Sequence, residues 1–141
     1  MRVCCVSVVG RLDAELDDQG VAVSQTEVLI IAQYGAVSAD ERHQMREQVN
    51  EVLRPLGLET SLLMIKRANS LALFFTCMSL SAVVNLRDHW NTGQLRDIVE
   101  SLFTLLSGAT VTVRVTRLTW LETDYERCLE SFTSLQGKQT V

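Results

Sequence analysis

At 141 residues, 47% of them hydrophobic and 21% charged, the chain suits one domain with a sizeable core and is too apolar for a disordered segment. A formal net charge of −4 gives no general attraction to a phosphate backbone, and a single proline excludes a proline-rich linker. The partner expected is therefore not a nucleic acid.

The N-terminal run Val3–Val9 has strand composition and stops at Gly10. It is too short to span a membrane and lacks the apolar region and cleavage site of a secretory signal. A cytoplasmic location is expected, with Cys4, Cys5, Cys77 and Cys128 as free thiols, and Cys77 and Cys128 as small buried hydrophobes. Asp13, Glu15, Asp17 and Asp18 then mark an acidic loop without calcium-loop spacing. Residues 1–26 are read as an extension with an additional strand.

The run VLIIAQY, Val28–Tyr34, is apolar on both faces and is read as a central strand. A helix follows, with Met45, Val49, Val52 and Leu53 as its inner stripe, and Pro55 and Gly57 stop it. Thr60–Lys66 and Leu71–Cys77, separated by a short turn, read as an antiparallel hairpin. Ser79–Trp90 is partly helical, and Gly93 interrupts it. The next helix carries Leu95, Ile98, Val99, Leu102, Leu105 and Leu106 on one side, and Gly108 ends it. Val111, Val113 and Val115 then alternate with Thr110, Thr112, Arg114 and Thr116, so one sheet face is polar. A closing helix starts near Thr119, with Tyr125, Cys128, Leu129 and Phe132 on its apolar side, and frays at Gly137.

From Glu27 to Val115 this order is strand, helix, strand, strand, helix, strand. It predicts an α+β, ferredoxin-like plait: an antiparallel sheet with helices on one face, plus a C-terminal helix and an N-terminal strand. The plait domain is placed at 27–136, with 137–141 as a flexible tail.

No constellation of residues announces chemistry. His43 lies on the polar side of a helix, and His89 adjoins Asp88, but neighbours in sequence do not make a triad. Glycine-rich phosphate loops and metal-binding spacings are absent. Phe74 and Phe75 fall on a plait strand without the basic–aromatic pattern of RNA-binding plaits. A non-enzyme without cofactor or metal is expected.

The stretch NTGQLRDIVESLFTLLSGATVTVRV, followed by LETDYERCLESF, resembles the helix, strand and closing helix of the TRADD N-terminal domain family. Fainter likeness runs back through LLMIKRANSLALFF and VLIIAQY, covering roughly residues 27–132. The resemblance implies a plait that serves a signalling adaptor by binding the TRAF-type domain of a TNF-receptor-associated factor, partly through its first strand and a neighbouring hairpin strand. Val28, Ile30 and Arg67 occupy the comparable places, with Val28 and Ile30 standing where the family has an aromatic pair.

The leading expectation is a non-catalytic protein-interaction domain of an intracellular signalling or apoptosis-related scaffold. Its candidate contacts are Val28, Ile30, Arg67, Thr112 and Arg114. A small-ligand-sensing or enzymatic α/β domain is the alternative, and needs a pocket that gathers His89, Cys77 or Arg114. Self-association through uncovered strand edges is a third reading.

Overall fold

The computed structural model describes residues 4–14, 23–38, 43–67, 70–108 and 113–139. The first strand, β1, is Cys4–Ala14. Val6 and Val8 are fully buried while Cys5 and Val9 are half-buried, the alternation of a strand with one face in a core. β2 (Thr60–Arg67) and β3 (Leu71–Cys77) form the hairpin, and β4 is Val113–Trp120. The sheet order is β2-β3-β1-β4, with every neighbouring pair antiparallel. Two helices, α1 (Val23–Ser38) and α2 (His43–Leu53), join β1 to β2, with one 3-10 turn at Arg54–Leu56. Two more, α3 (Leu80–Thr92) and α4 (Gln94–Leu106), join β3 to β4, and α5 (Glu122–Gln139) closes the chain. This is a ferredoxin-like βαββαβ plait.

The fold class agrees with the sequence reading, but its first strand lies elsewhere. Val28–Tyr34 is helical and belongs to α1; the strand read as an N-terminal addition is the plait's own β1. An apolar run without strict alternation suits a helix as well as a buried strand. Here Ile30, Tyr34 and Val37, spaced by four and three, form the helix's buried side. The plait therefore begins at Cys4, inside the segment assigned to an extension. At the other end α5 continues past Gly137 to Gln139, where a frayed end and tail were expected.

The core lies between the sheet and the helices. Val6, Val8, Leu73, Phe75, Val113 and Val115 face Ile30, Val49, Val83, Leu86, Leu102 and Phe103. Gly93 ends α3 at φ 82°, the left-handed conformation glycine adopts without a Cβ penalty, so one helical stretch becomes two. Ser79 opens α3 by accepting the Ala82 N–H at 3.1 Å.

A disulfide joins Cys4 to Cys128, with Cα atoms 5.6 Å apart. Two of the four expected free thiols are thus paired, while Cys5 and Cys77 are free. The bond ties the start of β1 to α5. Where α5 leaves β4, the Arg87 guanidinium pairs with Glu122 at 2.6 Å and lies over the Trp120 and Tyr125 rings, and Trp90 stacks on Trp120. No helix among the described residues is long and apolar enough to cross a membrane.

Candidate interaction surface

Strand alternation divides the sheet into two unlike faces. The helices take the side carrying Val6, Val8, Leu62, Ile65, Leu73, Phe75 and Val115. The pairing register places Cys5, Ser7 and Val9 of β1 on the opposite side, with Ala72, Phe74 and Thr76 of β3 and Ser61, Met64 and Lys66 of β2. Ser61 and Thr76, directly opposed, share a hydroxyl–hydroxyl bond of 2.7 Å there. On β4 this side holds Arg117 and Thr119, both exposed, and the register sets Arg11 against Arg117 and Asp13 against Arg114.

A bulge in β2 between Leu62 and Met64 inserts Leu63 as an extra residue. Leu63 is 52% exposed and Met64 40%, beside half-buried Phe74. Phe75, next in sequence, is fully buried among the helices. The face therefore has an apolar patch at β2 and β3 and a basic, hydroxyl-bearing margin at Lys66, Arg117 and Thr119.

The strand edges are closed by specific groups. On β4, the Val113 N–H donates to Thr104 Oγ1 at 3.2 Å, the Thr104 hydroxyl donates to the Val113 carbonyl at 3.5 Å, and the Val115 N–H donates to the Glu100 carboxylate at 2.9 Å. On β2, the Tyr34 hydroxyl donates to the Leu62 carbonyl, and the bulge breaks the ladder. β1 pairs with β4 only from Val8 onward; at Ser7 the N–H donates to the Asp124 carboxylate at 3.2 Å and the carbonyl accepts the Leu121 N–H at 3.3 Å. Satisfied edge groups and bulges are what discourage strand-to-strand association.

The candidate contact residues scatter. Ile30 is completely buried against the core and has no surface to offer. Val28, 52% exposed, lies on the outer side of α1 rather than on a strand. Arg67, at the end of β2, stands 3.9 Å from the Glu27 carboxylate. Thr112 lies outside the described residues. Arg114 is exposed on β4 and borders, with Asp97, Glu100 and Thr104, an open groove of about 610 Å³. The structure does not bring the four described ones together. Leu63, Met64, Phe74 and Lys66 stand outside the contacts that the sequence predicts. Their signal was the pairing of TSLLMIK with LALFFTC, whose register decides which Phe faces outward.

Groups with chemical potential are similarly dispersed. His89 Nδ1 meets the Asn85 carbonyl at 2.8 Å on its own helix, a local bond. Cys77 is buried at the end of β3; burial pushes its thiol up to about 11, against the smaller opposing effect of the Thr60 hydroxyl 4.0 Å away. Burial, aided by Asp124, raises the Cys5 thiol. Both shifts disfavour thiolate, the reverse of an activated nucleophile. A cleft of about 570 Å³ between α1, α2 and β2 is lined by Tyr34, Arg46, Asn50, Arg54 and Leu58, and holds none of His89, Cys77 and Arg114. Burial pushes the Tyr34 hydroxyl at its wall up to about 12, opposed by Arg46.

Comparisons with protein-family models, with curated proteins and with solved structures return no match.

Proposed function

We propose that this chain is a non-catalytic protein-interaction domain of a cytoplasmic signalling adaptor or scaffold, and that its partner docks on the sheet face opposite the helices. The observation that carries the reading is the contrast within that sheet: Leu63, Met64 and Phe74 are presented outward, while Tyr34, Glu100, Thr104 and Asp124 close the edges. An apolar centre with a polar rim is the anatomy of a protein interface. The basic margin at Lys66 and Arg117 suits a partner whose rim is acidic. The sequence likeness of residues 27–132 to the TRADD N-terminal domain family supports a TRAF-type domain as the first partner to try, and apoptosis or TNF-receptor signalling as the setting.

The test is direct titration of a purified TRAF-type domain against the wild-type chain and Met64→Glu, with Arg114→Glu reporting on the β4 margin. Met64 is exposed, so its variant should fold normally and bind at least about tenfold more weakly, the loss of one central contact. No binding by the wild-type chain overturns the TRAF-type partner. Equal binding by wild type and Met64→Glu overturns the face.

A further inference from the structure

β1 extends beyond the strand that pairs with it. Its ladder with β4 begins at Val8, so residues 4–7 have β3 on one side and, among the described residues, no strand on the other. α5 takes the missing strand's place. Its first turns supply the Asp124 carboxylate and the Leu121 N–H to the Ser7 backbone. Further along, Cys128 and Phe132 are buried, and Cys128 Sγ lies 3.6 Å from the Cys5 carbonyl oxygen. The Arg87–Glu122 pair holds only the start of the helix. Past that point the covalent tie between α5 and β1 is the Cys4–Cys128 bond, beside the Asp124–Ser7 hydrogen bond and the packing of Leu129 and Phe132 on the core.

We propose that the Cys4–Cys128 disulfide is a redox clasp that keeps α5 over the edge of β1 at residues 4–7, and that a dithiol reductant opens this edge by releasing the helix beyond its Arg87–Glu122 anchor, Asp124 included. One thiolate of the reductant attacks the sulfur of Cys4, the less buried of the two residues, and Cys128 leaves as a thiolate that takes up a proton. The reductant's second thiol then displaces Cys4 and closes the reductant's own disulfide. Two electrons and two protons pass to the chain.

The neighbouring cysteines make the bond a switch with two states. Cys77 stands directly opposite Cys4 in the β1–β3 register, the position from which it would capture Cys4 in exchange for Cys128. Its burial keeps it protonated at neutral pH, so the bond does not migrate to it. Cys5 is held back in the same direction. In a compartment that keeps thiols reduced the clasp stands open, and under oxidising conditions it closes.

The test is amide hydrogen exchange on the full chain, with and without a dithiol, comparing Ser7 with Phe75 in β3. Reduction lowers global stability and so speeds both amides; the clasp adds a local opening at Ser7 alone. The expected result is a rise of at least tenfold in the Ser7-to-Phe75 rate ratio on reduction, with Cys128→Ser showing the reduced ratio whether or not reductant is present. An unchanged ratio, with both amides accelerated equally or neither accelerated, overturns the proposal. So does a thiol count of four on the denatured, air-oxidised chain. If Cys128→Ser does not fold, the wild-type comparison still decides.

Discussion

The outer edge of β4 is closed by two side chains of α4, and removing them should have a calculable cost. Thr104→Val keeps the shape of the side chain but strips the hydroxyl from Val113. Glu100→Ala removes the acceptor of the Val115 N–H. Val113 and Val115 are almost wholly buried, so water is a poor substitute for either partner. The 3.2 Å bond to Thr104 is a neutral one, worth about 1 kcal/mol, and the 3.5 Å return bond adds little. The 2.9 Å bond to Glu100 is charge-assisted, but the Glu100 side chain is 30% exposed, which places it near the lower end of its range, about 1.5 kcal/mol. The double variant should therefore lose about 2.5 kcal/mol, or roughly 8 °C in Tm. Urea denaturation measures the loss, and sedimentation at rising concentration shows whether the freed edge pairs with a second copy. Thr104→Ser and Glu100→Gln retain an acceptor and should recover most of the stability. A double variant within about 0.5 kcal/mol of wild type, or a Thr104→Ser as costly as Thr104→Val, would refute the edge-closing role.

Three further outcomes are expected. Replacing both Cys4 and Cys128 with Ser removes a cross-link spanning 124 residues, an unfolded-state constraint of about 5 kcal/mol by the chain-entropy relation, and equal urea midpoints for oxidised wild type and variant would contradict it. Stability should fall on the alkaline side. The Cys77 thiol goes from 9.0 to about 11 and the Tyr34 hydroxyl from 10.0 to about 12, so each is neutral in both states at low pH, and the folded state loses ground as pH rises through those windows. Cys77→Val should flatten the loss that begins above pH 9, and an unaltered pH profile counts against the buried thiol. Finally, Ile30→Ala should cost about 2–5 kcal/mol and Val28→Ala under about 0.5 kcal/mol, since one is fully buried and the other faces outward on α1; similar costs would place both on one buried strand instead.

The parts of the fold legible in the sequence were those with a clear local period. Leu71–Cys77 has the predicted bounds, and the stripe from Leu95 to Leu106 gives α4 its buried side. Gly93 and Gly108 punctuate the chain where their positive φ is needed. α1 was misread because it is apolar nearly all round, with Glu27 its single charged residue and Val28, Leu29, Ile30 and Ile31 in succession. A helix of that composition has no hydrophobic period to betray it. The central place of β1 was hidden for another reason: position within a sheet is a matter of pairing, and its partners Leu73 and Trp120 are far away in sequence. The outward patch needed register as well. Phe74 and Phe75 are equivalent as letters, and only the pairing of Phe74 with Ser7 and Met64 sends it to the open side. The Cys4–Cys128 bond, which spans a sequence separation of 124, had no signature in cysteine spacing.

That the central strand is also the first to be made has a consequence for how the chain is born. β1 emerges from the ribosome before any of its neighbours, and Val8 must wait for Trp120 at the far end of the sequence. At roughly 5–20 residues per second, more than about a hundred residues of synthesis leave that strand without its β4 neighbour for roughly 6–20 s. Throughout that interval the run VCCVSVV is nascent apolar chain carrying two thiols. Pairing across so much sequence also raises contact order and slows folding. The window for misassembly and for chaperone capture is therefore set by the length of the chain between its first strand and its last.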